Sequence, residues 1–276
     1  MLSQVICSTN LRNANAEDGA DSWRHRATGY AALLQRLRPD IVGVQECMDV
    51  QRTWLADTFP QHTVTAGLPY GNHAPYEYCA IAWRTERYTL LDSGGFHLSL
   101  SPSVPSRSWD TSWMRVANWV VLKHRASGLD FCVCNTHLDN IGAVSRRESI
   151  DVLATQLAPF AHLPTIVMGD FNTPPDGDVH ALARSHGFVD SWQAAGHRDG
   201  AGVLTFHGFR GAVWPAVSGE RDDARIDWIL HRDPQQRLRL VSAHIVTSTL
   251  DTGRFPSDHY PVTAQYQLVS SEQQHR

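Results

Sequence analysis

The sequence predicts an α/β (α+β) fold of two packed β-sheets with helices outside, and three observations carry that reading. The 276 residues are 42% hydrophobic and include nine Trp, enough apolar surface for a substantial core. Residues 61–135 hold one apolar or aromatic run after another, cut by turns rich in Gly, Pro, Ser and Asn. Strands and helices elsewhere alternate too irregularly for a doubly wound Rossmann sheet. With no repeat, low-complexity tract or linker, the expected organisation is a single domain over 1–269 and a polar tail at 270–276.

Taken in order, residues 2–8 alternate weakly and are β-rich. Residues 23–37 read as a helix, with Tyr30, Leu33, Leu34 and Leu37 at helical spacing and Arg38-Pro39 as the stop. The run 40–46 is short and apolar over Ile41 to Val44, of the type expected for a strand buried on both faces, and it ends on Glu46. Further strands are expected at 61–66, 77–83, 88–91, 116–124 and 129–135. Ser145-Arg146-Arg147-Glu148 matches a capping box, so a helix is expected from Ser145, with Ile150, Leu153, Leu157 and Phe160 on its apolar face. A buried strand at 165–168, a short helix at 179–186 and strands at 225–230 and 259–268 complete the chain.

Charge narrows the function classes. Lys and Arg total 24 against 28 Asp and Glu, a formal charge of -4. Neutralising a phosphate polymer normally takes a basic face, so this balance disfavours nucleic acid as the partner. The longest apolar stretches, at 41–44 and 116–122, fall far short of the roughly 20 residues a membrane span needs. The N-terminus shows no basic leader or cleavage site, so an unprocessed, cytoplasmic protein is expected. Five Cys without paired CxxC knuckles read as core thiols, and Cys132 and Cys134, two apart on one strand, should face the same way. No heptad run or apolar edge assigns an oligomeric state.

Eight polar residues stand at the ends of apolar strands, where neighbouring strands converge on a cleft: Asn10, Glu46, His137, Asp170, Asn172, Asp227, Asp258 and His259. Singly, each has a structural explanation: a solvated strand end at Glu46, an Asx turn at Asp170-Phe171-Asn172 before Pro174-Pro175, a cap or turn acid at Asp258. Together, four carboxylates and two amides form an oxygen-rich set suited to a hard cation, Mg2+ or Mn2+, rather than to zinc.

Six strings give these residues an order: Ser8-Thr9-Asn10-Leu11-Arg12, Val44-Gln45-Glu46, Asn135-Thr136-His137-Leu138-Asp139, Gly169-Asp170-Phe171-Asn172, Arg225-Ile226-Asp227-Trp228-Ile229 and Ser257-Asp258-His259-Tyr260-Pro261-Val262. In this the chain resembles the endonuclease/exonuclease/phosphatase superfamily, which includes deoxyribonuclease I, abasic-site endonucleases, neutral sphingomyelinases, inositol polyphosphate 5-phosphatases and deadenylases. The resemblance spans 5–262. It is nearer to the bacterial and deadenylase-like branch, on Leu204-Thr205-Phe206-His207-Gly208-Phe209 and on Trp109-Asp110 with Arg115.

The resemblance implies a four-layer αββα sandwich, two packed mixed β-sheets flanked by helices, with the active site at one edge. It implies Glu46 as a direct Mg2+ ligand, Mn2+ substituting, with Asn10 and Asp258 close to the ion. It implies His259 as general base or electrostatic partner of the phosphate, oriented by Asp227, and His137 as a donor to a phosphate oxygen. Asp170 would orient or activate water, and Asn172 would donate to a nonbridging oxygen. Arg115, His207, Glu77 and His73 are the expected substrate contacts. Eleven His without a matching motif, at 25, 62, 73, 97, 162, 180, 186, 197, 231, 244 and 275, are expected to be structural or on the surface, with His73 set apart for its place in the entrance loop.

Two loops depart from the bacterial pattern. Where relatives carry a Gly-Arg-Asp-Asp-Gly-like loop, residues 67–78 give Tyr70, His73 and Tyr76 and an aromatic entrance. Phe96-His97-Leu98-Ser99 replaces Phe-Trp-Leu-Ser. Loops carry specificity, so the expected function is a Mg2+-dependent phosphomonoesterase or phosphodiesterase acting on a small or medium-sized phosphorylated molecule. The alternative is a nuclease or deadenylase using a basic groove of Arg12, Arg107, Arg115, Arg146, Arg147 and Arg210. A catalytically silent scaffold is the least favoured reading.

Overall fold

The computed structural model describes residues 2–213 and 224–269; the polar tail expected at 270–276 lies outside the described residues. Strand β1 (Leu2–Asn10) leads into helix α1 (Trp23–Leu37), β2 (Ile41–Cys47) and α2 (Asp49–Thr58). Strands β3 (His62–Thr65), β4 (Pro69–Tyr70), β5 (Glu77–Arg84), β6 (Tyr88–His97), β7 (Val116–His124) and β8 (Asp130–His137) follow. Then come α3 (Ala143–Gln156), β9 (Thr165–Asp170), α4 (Asp178–Ser185), β10 (Val189–Asp190), α5 (Ser191–Ala194), β11 (Asp227–Arg232), β12 (Leu238–Ile245) and β13 (Val262–Leu268).

The strands form two sheets. One runs β12-β13-β1-β2-β5-β3 with β4 also on β5, the other β10-β11-β9-β8-β7-β6. Each is mixed: β1 and β2 are parallel, as are β8 and β9, while the remaining pairs are antiparallel.

The two-residue period of a strand builds the layers. Ile6, Ile41, Ile81, Val120, Phe131, Val133 and Met168 meet between the sheets. Their chain neighbours turn outward. Cys7, Val42 and Val44 pack under Tyr30, Leu34 and Leu55 of α1 and α2, and Cys132 and Cys134 pack under Ile150, Leu153 and Val179 of α3 and α4. Both faces of β2 and β8 are therefore covered, which is why both read as continuous apolar runs. The result is a four-layer αββα sandwich. All five Cys are free and buried, and burial raises their thiol pKa values.

Three expectations change. Helix α3 starts at Ala143 rather than at Ser145, because its exposed N–H groups are capped from a distance: the Asp110 carboxylate accepts from Val144 N (3.1 Å) and Ser145 N (2.7 Å). Ser145 Oγ instead donates to Gly142 O at 2.9 Å. The last strand begins at Val262, not at His259, and β11 begins at Asp227, not at Arg225. Helix α2 and strand β12 were not expected. Among the described residues no helix is long and apolar enough to cross a membrane.

Candidate active site

Strand register assembles the site. In the second sheet His137 pairs with Asp170 across the parallel β8–β9 ladder, and Asp170 pairs with Asp227 across the antiparallel β9–β11 ladder. Three candidate site side chains thus stand in one row. In the first sheet Asn10 pairs with Gln45 at the end of β1 and β2. Behind the site, Gln45 and Asn135 tie the sheets together: Gln45 Nε2 donates to Asn135 Oδ1 (2.6 Å), and Asn135 Nδ2 donates to Val44 O and Ala80 O.

Glu46 follows a shift in the β2–β5 register and takes a left-handed φ of 53°; Arg12 and Asn172 do the same at 54° and 50°. Such conformations cost a non-Gly residue free energy and persist where surrounding bonds over-determine them. Here Glu46 N donates to Tyr70 Oη (3.0 Å), Asn13 N to Glu46 Oε2 (3.0 Å), and Asn10 Nδ2 to both Glu46 Oε1 (3.0 Å) and Asp170 Oδ2 (3.1 Å). Arg12 N, which can only donate, takes Asn10 Oδ1 at 2.9 Å. Asn10 therefore holds two carboxylates with its N–H groups while its oxygen is already engaged, a bridging rather than a metal-ligating orientation.

His259 Nδ1 donates to Asp227 Oδ2 at 2.8 Å, which leaves Nε2 3.7 Å from Asp170 Oδ2. Thr205 Oγ1 accepts from both Ile226 N and Asp227 N and so fixes the aspartate behind the imidazole. Burial works against a charged His259, but Asp227 and Asp170 outweigh it and carry the imidazole pKa up to about 10. Burial and then the Asp227 charge push Asp170 up to about 7. Asn172 N donates to Asp170 Oδ1 at 2.9 Å, and one Nδ2–H is spent on Leu138 O.

Tyr70 was read from sequence only as part of an aromatic entrance, yet it is buried and central. Its hydroxyl accepts from Glu46 N at 3.0 Å, lies 3.0 Å from His137 Nδ1 and also bonds Glu77, while His137 Nε2 stands 3.4 Å from Asp170 Oδ2. Burial, Arg115 and His259 hold His137 well below the usual imidazole range, hence neutral. Arg115 is buried on Asp139 (Nε to Oδ2, 3.3 Å) and Asn140 (Nη2 to Oδ1, 3.1 Å). Asp139 was quoted in a motif without a role. It also accepts from Ser112, Trp113, Ile141 and Gly142, and these bonds with the Arg115 charge outweigh its burial and keep it ionised.

These groups line a cleft of about 920 Å³ that includes Glu46, Tyr70, Glu77, Arg115, His137, Asp170, Asn172, Asp258 and His259. Asp258 lies beside Arg12 (3.7 Å) and accepts from Ser257 Oγ; burial raises its pKa. Glu77 is half-buried and pushed up to about 7 by burial and then by the Glu46 charge. His73 is exposed at the mouth. His207 is the correction: it is fully buried, its ring packs between Phe255 and Tyr260, and Gly211 N donates to its Nδ1. It backs the His259 segment and does not line the cleft. Of the six Arg expected in a basic groove, Arg12 and Arg115 line the cleft.

The donor set fits a hard divalent ion. The cleft carries Asp18, Glu46, Glu77, Asp170 and Asp258, while Arg12 is spent on Asp18 and Arg115 on Asp139. A separate group of possible ligand atoms, on Asp170, Asp227 and His259, lies within 4.8 Å. There His259 Nδ1 donates to Asp227 Oδ2, while Asp227 Oδ1 is buried without a hydrogen-bond partner among the described residues, which leaves that oxygen open to a ligand.

The four-layer αββα sandwich thus carries this row of His and Asp side chains at one edge of its sheets. The chain belongs to the Endonuclease/Exonuclease/phosphatase family, whose model matches residues 7–259. A solved family member from Bacteroides vulgatus is 27% identical, with a TM-score of 0.85 over 98% of this chain and 100% of that one. A mannosyl-6-phosphatase from Bacteroides thetaiotaomicron is 29% identical, with a TM-score of 0.81 over 96% of this chain and 99% of that one. Tyrosyl-DNA phosphodiesterase 2 of Xenopus tropicalis is 23% identical over 91% of this chain, which spans 64% of that relative's length.

Proposed function

We propose that this protein is a Mg2+-dependent phosphohydrolase, with Mn2+ as a substitute ion, acting on a phosphate ester of a small or medium-sized molecule. The observation that carries the substrate size is the charge of the cleft: five carboxylates face it, and both of its guanidinium groups are already paired with acids. Such a surface accepts one phosphate beside a bound cation and repels a chain of them. The likeness to a mannosyl-6-phosphatase supports this reading.

Glu46 and Asp258 would hold the ion, which supplies Lewis-acid polarisation of a phosphoryl oxygen. Asn10 keeps Glu46 and Asp170 apart and oriented. Asp170, poised near 7, takes a proton from the water that attacks phosphorus, while His259, held cationic by Asp227, gives its Nε2 proton to the ester oxygen as the P–O bond to the leaving alcohol breaks. His137, the second Nδ2–H of Asn172 and Arg115 supply further donors for the charge that develops on the phosphate.

The test is phosphate release from a panel of nucleotides, sugar phosphates, prenyl and lipid phosphates and short oligonucleotides. Release with Mg2+, its loss in EDTA, its return on adding Mg2+, and a loss of about 10³-fold or more in Glu46→Ala are expected. Activity that persists unchanged in excess EDTA overturns the metal role. The likeness to a tyrosyl-DNA phosphodiesterase favours a second reading, a nucleic-acid substrate. Steep weakening of binding as salt rises would select it.

A further inference from the structure

Trp113 is a large apolar ring left 41% exposed at the mouth of the catalytic cleft. Its backbone is pinned from both sides. Trp113 N donates to Asp139 Oδ2 (3.2 Å), and its carbonyl accepts from Thr111 Oγ1 (2.7 Å). Asn72, in the loop between β4 and β5, brackets it by donating from Nδ2 to Ser112 O (3.2 Å) and accepting at Oδ1 from Met114 N (3.1 Å). The segment is thus ordered before any ligand arrives, and binding to it forfeits little conformational entropy. Arg115, two residues on, is fixed by the same Asp139 and lines the same cleft.

We propose that Trp113 is the stacking wall of a subsite for a polyhydroxylated ring, so that the substrate class is phosphorylated sugars; this rests on the phosphohydrolase reading of the site. One ring face is offered, not a slot. Among the described residues the aromatic ring beside Trp113 is His73, 6.4 Å away and edge-on at 66°, so those residues offer a planar base no parallel second wall against Trp113. A sugar ring needs only one wall, because it presents C–H groups on a face and hydroxyl groups around its rim. The acidic side chain of Glu77, which lines the same cleft, offers acceptors suited to those hydroxyl donors.

The experiment compares kcat/KM for mannose 6-phosphate and glucose 6-phosphate, which carry the ring, with glycerol 3-phosphate, which does not, and with adenosine monophosphate. Trp113→Ala is expected to lower the preference for hexose phosphate over glycerol phosphate about tenfold, mostly through KM, and Trp113→Phe to restore most of it. A preference that does not move, or a larger loss on adenosine monophosphate than on the hexose phosphates, overturns the sugar subsite and leaves the catalytic reading standing. No hydrolysis of any of the four by the wild-type protein with Mg2+ overturns the sugar subsite, and no release from the wider panel of phosphate esters either overturns the phosphohydrolase reading with it.

Discussion

Arg225 and Asp227, two residues apart at the start of β11, belong to buried acidic clusters of opposite design. Arg225 reaches Asp190 (2.6 Å) and Asp199 (2.8 Å), His180 Nε2 reaches the same Asp190 at 3.0 Å, and Trp192 N caps its other oxygen. Burial alone would raise Asp190, but His180 and Arg225 overcome it and hold the carboxyl below its usual range. On the Asp227 side, Asp170, Asp258 and Glu77 are all raised, with burial the largest cause in each. The chain supplies every counter-charge to the first cluster and leaves the second short. A fold gains nothing from buried acids it does not neutralise, so the deficit marks where a ligand's charge belongs.

Two substitutions break the comparison most sharply. Asp170→Asn removes one of the uncompensated acids and should lower kcat/KM by about 10³-fold, while changing unfolding free energy by less than about 1 kcal/mol. Asp190→Ala does the reverse in kind: it leaves Arg225 and His180 buried beside a hole and should cost about 3 kcal/mol in chemical denaturation. Equal stability losses in the two variants would show that both clusters are structural.

Much of this division was legible in the sequence, and the failures have physical causes. The sheet-rich centre and the irregular alternation of strands and helices pointed to two packed sheets, and His137, Asp170 and Asp227 were visible as strand-end motifs. Helix α2 was missed because it follows β2 with only Met48 between, and its start is held by Gln51 reaching back to Met48 N rather than by a Ser, Thr, Asp or Asn cap. Strand β12 was missed because its ladder shifts between Leu240 and Ser242, which breaks the period of two. Tyr70 and Asp110 act across 24 and 35 residues of chain, to Glu46 and Ser145. Local spacing cannot show such partners. His207 sat in the right string, but the backbone turns its ring inward onto Tyr260.

The smallest expected effect is the most specific, because it separates the two acids that flank His259. Activity with Mg2+ should rise as pH passes about 7, where Asp170 ionises, and fall near 10, where His259 loses its proton. Asp227 is the largest influence raising His259, so Asp227→Asn removes charge that favours the imidazolium. The alkaline limb should then move to lower pH by about one unit or more. The acid limb should move the same way, because Asp227 also raises Asp170. A pH–rate profile of kcat/KM for the two proteins measures both limbs. An alkaline limb that stays near its wild-type position while the acid limb moves would assign the upper ionisation to a group other than His259, and with it the proton donor of the reaction.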